Sequence, residues 1–240
     1  MSEKIWAIIP AAGIGRRMSS TLPKQYMELL GKPILSHTMD RLSESHCIDG
    51  IVVGMQNDDE HWESINFDHE KVIGISDGGT ERVHTVLNAI HFLLDNEVAD
   101  TEDWALVHDA VRPCVDIDDI ALLASTARSN GEGALLATRV TDTLKRANEN
   151  GRVDATVQRE SHWRALTPQM FPMGKLKAAL EASLEKGLTT TDESAAMELY
   201  GIYPELVEGS STNIKITMQS DLLLAEFFLK NLEKPHDTNR

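Results

Sequence analysis

The chain has 240 residues and a formal net charge of −15, and 41% of its residues are hydrophobic. That length holds one large α/β domain with a substantial core. The acidic balance argues against a nucleic-acid or anionic-membrane surface, since either needs a broad basic face; an anionic small molecule would have to be held by a local cluster of cations.

Cys47 and Cys114 stand far apart in no metal-binding spacing, so neither a disulfide framework nor a structural zinc site is expected, and the chain reads as cytoplasmic. The first apolar run is too short for a signal-peptide core, and no segment approaches membrane-spanning length.

Ile5 to Ile9 form an almost unbroken apolar run ending at Pro10, the pattern of a buried strand in a parallel sheet. Ala11-Ala12-Gly13-Ile14-Gly15 then lets the backbone approach a ligand closely, and its amides suit an anion. Arg16, Arg17 and, past Leu22-Pro23, Lys24 add cations beside those amides. The dinucleotide fingerprint fits less well, because Met18 stands where its third glycine would be, as does a Walker loop, whose Gly-Lys-[Ser/Thr] is absent.

Pro33 opens a helix with Ile34, Leu35, Met39 and Leu42 on one face, and Ile51 to Met55 reads as a second buried strand. His61 and His69 lie in a polar loop without metal-ligand spacing. A third strand, Val72 to Ile75, runs into a second glycine loop, Asp77-Gly78-Gly79-Thr80-Glu81-Arg82, followed by a helix through Leu94. In a doubly wound sheet both loops would gather at one edge.

Trp104 to Val107 forms a fourth strand and delivers His108-Asp109-Ala110-Val111-Arg112-Pro113 at its end, where a charged Asp needs a specific partner such as Arg112. A helix over 117–128 and a strand from Gly133 follow. Thr141 to Arg146 and Asp154 to Arg159 flank Asn148-Glu149-Asn150-Gly151, a strong hairpin signal. Two polar strands have little to bury alone, which predicts an arm over about 141–163 that packs on another subunit.

Pro172 to Lys186 reads as an amphipathic helix, and Thr191-Asp192-Glu193-Ser194 as the cap of the next. Val207 to Gly209 and Asn213 to Thr217 are expected to carry the last strand, with Lys215 facing away from the core between Ile214 and Ile216. Gln219 to Leu232 closes a single domain over 1–232, and 233–240 reads as a flexible polar tail.

Pro-Ala-Ala-Gly-x-Gly-Arg-Arg-Met, then Pro-Lys-Gln, Gly-Gly-x-x-Arg, His-Asp-Ala-x-Arg-Pro, Thr-Pro-Gln-x-Phe and Asn-Ile-Lys-x-Thr follow one another from Ile5 to Leu232. This ordered set resembles the 2-C-methyl-D-erythritol 4-phosphate cytidylyltransferase family. The resemblance implies a Rossmann-like, mostly parallel sheet flanked by helices, with a protruding β-hairpin arm that joins a homodimer. It implies transfer of CMP from CTP to 2-C-methyl-D-erythritol 4-phosphate, releasing pyrophosphate, in non-mevalonate isoprenoid synthesis. The alternative acceptor is a pentitol phosphate such as ribitol 5-phosphate.

On the same basis Arg17, Lys24, Arg159 and Lys215 would be catalytic, with Mg²⁺ or another divalent cation as cofactor. Pro10, Ala11, Ala12, Gly13, Gly15, Lys24, Gly79, Arg82, Thr85, Asp109 and Ala110 would hold the nucleotide. Asp109, Arg112, Thr143, Arg159, Thr167 and Lys215 would hold the acceptor, and Asp109 would also meet the metal. Thr143 and Arg159 would come from the partner's arm. The chain departs from the family pattern at Thr80, often Asp; at Thr85, often Ser; and at Val111, which replaces an Ala.

Overall fold

The computed structural model describes residues 3–13, 22–62, 65, 69–188 and 190–232. β1 (Ile5–Pro10) is followed by the two-residue strands β2 (Glu28–Leu29) and β3 (Lys32–Pro33) and by α1 (Ile34–Glu44). β4 (Gly50–Met55) and β5 (Val72–Asp77) precede α2 (Arg82–Asp95), and β6 (Trp104–Val107) precedes α3 (Ile117–Asn130). Then come β7 (Ala134–Arg139), β8 (Leu144–Ala147), β9 (Val153–Val157), β10 (Trp163–Pro172), α4 (Met173–Glu185), α5 (Glu193–Leu199), β11 (Glu205–Glu208) and α6 (Gln219–Leu232).

Among the described residues the main sheet has seven strands in the order β11-β7-β10-β6-β1-β4-β5. Pairing is parallel except at β10, which runs antiparallel to both neighbours. The inner strands β1, β4 and β6 are apolar along their length because both faces are covered. Alternation along β1 divides the core: Ile5, Ala7 and Ile9 pack with Leu35, Met39 and Leu123 of α1 and α3. Trp6 and Ile8 pack with Val86, Ile90 and Leu176 of α2 and α4. The loops leaving β1, β4, β5 and β6 therefore emerge at one edge, as the sequence predicts.

One expectation needs correction. Asn213–Thr217 adds no strand; of the two segments only the first reaches the sheet, where β11 pairs with β7 and Gly209 N closes that ladder on Ala137 O. Ser210 N then donates to Asp119 Oδ2 and Asn213 N to Ser210 O, turning the chain across the end of the sheet, where Ile216 N donates to Val111 O. The Thr-Pro-Gln-x-Phe segment, in turn, lies inside the ten-residue strand β10.

β8 and β9 form a separate antiparallel hairpin within the predicted arm, its turn held by Asn148 Oδ1, which accepts from Asn150 N and Arg152 N. It is mostly exposed; Val153 is 65% accessible. The predicted tail, 233–240, lies outside the described residues.

Candidate active site

The first loop leaves β1 at Pro10 and is tied down at once. Ala11 N donates to Gly54 O at 2.7 Å, and Gln25 Nε2 donates to Ala11 O at 2.7 Å. Gln56 Nε2 donates to Ala12 O at 3.2 Å, and Gly13 is exposed at the loop's start. Gly15 and Arg17, with Arg16, lie outside the described residues.

The second loop comes against the first. A Cβ on Gly78 would lie 2.5 Å from Ala12 Cβ and 2.9 Å from the Met55 backbone, so only glycine allows the approach. Gly79 N donates to Thr85 Oγ1 at 3.0 Å; Thr85, 1% exposed, braces the loop from beneath.

β6 then delivers Asp109, and three cations converge on its carboxylate. Lys215 Nζ lies 3.0 Å from Oδ2, Arg112 Nε donates to Oδ2 at 3.2 Å, and Arg82 Nε donates to Oδ1 at 3.3 Å. Burial alone would push the Asp109 carboxyl up, but Arg82, Lys215 and Arg112 together hold it well below the usual range. The pairing with Arg112 expected from sequence is thus one part of a larger cluster.

That cluster is fixed from below. Burial lowers the His108 pKa to about 4, so its ring is neutral. Its Nε2 faces Arg112 O at 3.0 Å and must carry the proton; Nδ1 then accepts from the Thr167 hydroxyl at 3.1 Å. Thr167 Oγ1 in turn accepts from Asp109 N at 3.0 Å. Thr167 is 4% exposed, with its one hydroxyl proton committed to His108. Thr38 Oγ1 donates to Ala110 O at 2.9 Å, which sets the next residue.

Asn213, 1% exposed, anchors the segment that brings Lys215: its Nδ2 donates to Thr167 O at 2.8 Å, and its carbonyl accepts from Arg112 Nη1 at 2.8 Å. Lys24, in the short turn Lys24–Tyr26, donates from Nζ to Thr217 O at 2.8 Å. Lys24 and Lys215, far apart in sequence, therefore meet at one short segment. Beside it opens a cavity of about 320 Å³ lined by Arg112, Thr138, Arg164, Asn213 and Lys215 among others.

Thr143 and Arg159 are exposed on the arm and do not line this cavity; Arg159 Nη1 donates to Thr141 O. Sequence reasoning passed over Arg164 and Thr138, which line the cavity, and Gln169 and Glu193. Asp192 does cap α5, accepting from Ala195 N, but Glu193 turns inward to Arg82. A four-residue capping pattern had accounted for both acids locally. Only the three-dimensional pairing separates them.

Among the described residues no group of three His, Cys, Asp or Glu could hold a metal ion. Asp109 is pinned in its ionised form by cations, and His108 is buried and spent on Arg112 O and the Thr167 hydroxyl. What this arrangement can do is grip a polyanion and neutralise charge that shifts along it, the work of a nucleotidyltransferase.

The sequence matches the family model described as IspD, 2-C-methyl-D-erythritol 4-phosphate cytidylyltransferase, over residues 5–231, and the chain belongs to that family. It is 46% identical to the 2-C-methyl-D-erythritol 4-phosphate cytidylyltransferase of Shewanella amazonensis, covering 95% of this chain and 94% of that one. The protein of the same name from Hahella chejuensis is also 46% identical, with 96% and 95% covered. The crystal structure of a 4-diphosphocytidyl-2C-methyl-D-erythritol synthase superposes with a TM-score of 0.83 at 35% identity, covering 95% of this chain and 99% of that one. The Francisella tularensis cytidylyltransferase gives a TM-score of 0.80 at 36% identity, with 94% and 99% covered.

Proposed function

We propose that the chain performs the reaction of its family with the residues gathered here, transferring CMP from CTP to 2-C-methyl-D-erythritol 4-phosphate. The observation that carries this reading is the convergence of Arg82, Arg112 and Lys215 on Asp109 beside Lys24, at the sheet edge where both glycine loops begin. The acceptor's phosphate is already ionised near neutral pH, its second pKa being about 6. One of its oxygens attacks the α-phosphorus while the bond to the β-phosphate oxygen breaks and pyrophosphate leaves with the electron pair. No proton need be removed, so positioning and charge neutralisation lower the barrier.

In this reading Pro10, Ala11, Ala12, Gly13, Gly15 and Gly79 present backbone to the nucleotide, with Thr85 holding the second loop in shape and Asp109 and Ala110 facing the ribose side. Arg17 and Lys24 stabilise the α-phosphate and the leaving group. Lys215 and Arg112 orient the acceptor phosphate at the mouth of the cavity, and Thr167 supports them through Asp109. Thr143 and Arg159 reach the site of the other subunit in a homodimer; their exposure on the arm, outside the lining of their own cavity, supports an arm acting in trans.

A divalent ion fits this chemistry without a protein cage. Asp109 Oδ1 carries one long contact, from Arg82, and so keeps an acceptor site for an ion that takes its remaining ligands from phosphates and water. When bound, Mg²⁺ would offset negative charge on the phosphate oxygens. No helix among the described residues is long and apolar enough to cross a membrane, and both cysteines are free; we place the enzyme in the cytoplasm.

Measuring pyrophosphate release with CTP, UTP and ATP against methylerythritol, ribitol and sugar phosphates tests the reading. It predicts turnover with CTP and methylerythritol phosphate above every other pair. Preference for ribitol 5-phosphate would instead establish the pentitol reading, and no release with any pair would sink both.

A further inference from the structure

Glu193 is 1% exposed, the first residue of α5, and its partner Arg82 is the first residue of α2. Glu193 Oε1 accepts from Arg82 Nη1 at 2.5 Å, while Arg82 Nε donates to Asp109. The guanidinium is thus bracketed by two acids on two of its three nitrogens. The third, Nη2, is buried without a hydrogen-bond partner, as is Glu193 Oε2.

The acid is itself held in place. Gln169 of β10, 1% exposed, accepts on Oε1 from Ser194 N at 2.8 Å and donates from Nε2 to Asp192 Oδ2 at 2.9 Å. Gln169 therefore clamps the residues on either side of Glu193 to the central sheet. A rigid strand sets the start of α5, and that start sets Arg82.

We propose that Glu193 is a positioning residue of the nucleotide site, holding the Arg82 guanidinium, on a side chain 29% exposed, in the place where it meets the bound nucleotide. Burial would drive the proton from Arg82, and Glu193 ahead of Asp109 offsets this and keeps the cation. Without Glu193, Arg82 would keep its bond to Asp109 and the weaker pull of Asp192. The Asp109 carboxylate already serves Arg112 and Lys215, so the error would spread to them. A pair needed only for packing could be replaced by apolar residues; one that orients a ligand contact could not.

The inference rests on Arg82 contacting the nucleotide, and a double-mutant cycle separates the two claims. Steady-state kinetics are measured for wild type, Glu193→Gln, Arg82→Ala and the double variant, with Glu193→Asp as the conservative replacement. We expect Glu193→Gln to raise the KM for CTP about tenfold with kcat within about twofold, Glu193→Asp to recover part of the loss, and Glu193→Gln to add nothing once Arg82 is gone. An unchanged KM in Glu193→Gln, or an equal effect with and without Arg82, overturns the proposal while leaving the nucleotide site standing. An unchanged KM in Arg82→Ala alone overturns the role of Arg82 and this inference together. If Glu193→Gln does not fold by circular dichroism, the same cycle run with Glu193→Asp decides it.

Discussion

Two aspartates stand at the two ends of β6, and their partners give them different work. Asp109, at the carboxyl end, is surrounded by side-chain cations that a ligand could engage. Asp103, just before the strand, accepts from Lys4 N at 2.8 Å, Trp6 Nε1 at 3.0 Å and Asp100 N at 3.1 Å, all structural donors. Burial would raise its carboxyl, but the bonds from Trp6, Lys4 and Asp100 hold it below the ordinary 3.8. A group depressed on folding stabilises above its unfolded pKa and loses that contribution as pH falls through the folded one. Asp103→Asn should therefore cost about 1–3 kcal/mol near neutral pH, and the gap should close in acid below the ordinary carboxylate range. Urea unfolding of both proteins across that range checks this, and a gap independent of pH would contradict it. Asp109 and Arg112 stood out in sequence as charged residues at the end of an apolar run, whereas Lys215 was singled out only by the family resemblance. Glu193 did not stand out, because its partner lies 111 positions away.

Among the elements, β10 is the one that sequence patterns hid. A proline inside an apolar run argues against a central strand because it cannot donate to the ladder. Here β10 sits between β6 and β7, and its pairing with β7 shifts register between Ala165 and Gln169, so Pro168 falls where no ladder donor is required. The opposite error arose at Ile214, Lys215 and Ile216, whose alternation is that of a strand. An extended segment laid across the sheet's end buries alternate residues too, with Ile216 inside and Lys215 turned to Asp109. The contact of the two glycine loops was foreseen from topology, and it supplies a sharp test. Gly78→Ala would push a methyl into Ala12 and Met55; we expect a loss of about 1–3 kcal/mol in stability and roughly a tenfold weaker grip on CTP. Thermal melts and CTP titration measure both, and unchanged CTP affinity would show that the loops do not form the site together.

Over the whole molecule, a chain of net charge −15 concentrates cations at one cleft, which fits a compact polyanion rather than a polymer. The fold class was plain from strands alternating with helices around glycine loops. The assembly was less so, since an exposed polar hairpin states only that it has little of its own to pack on. Mixing Arg159→Ala chains with chains disabled at Lys215 should restore activity above the sum of the separate variants if the arm completes the neighbouring site. Simple additivity would confine each arm to its own chain. The central claim is that side-chain cations, with no proton-abstracting group, lower the barrier. Pyrophosphate release by folded Lys24→Ala tests it most directly: the account predicts turnover reduced roughly a hundredfold, about 3 kcal/mol in the transition state, and turnover equal to wild type would contradict it.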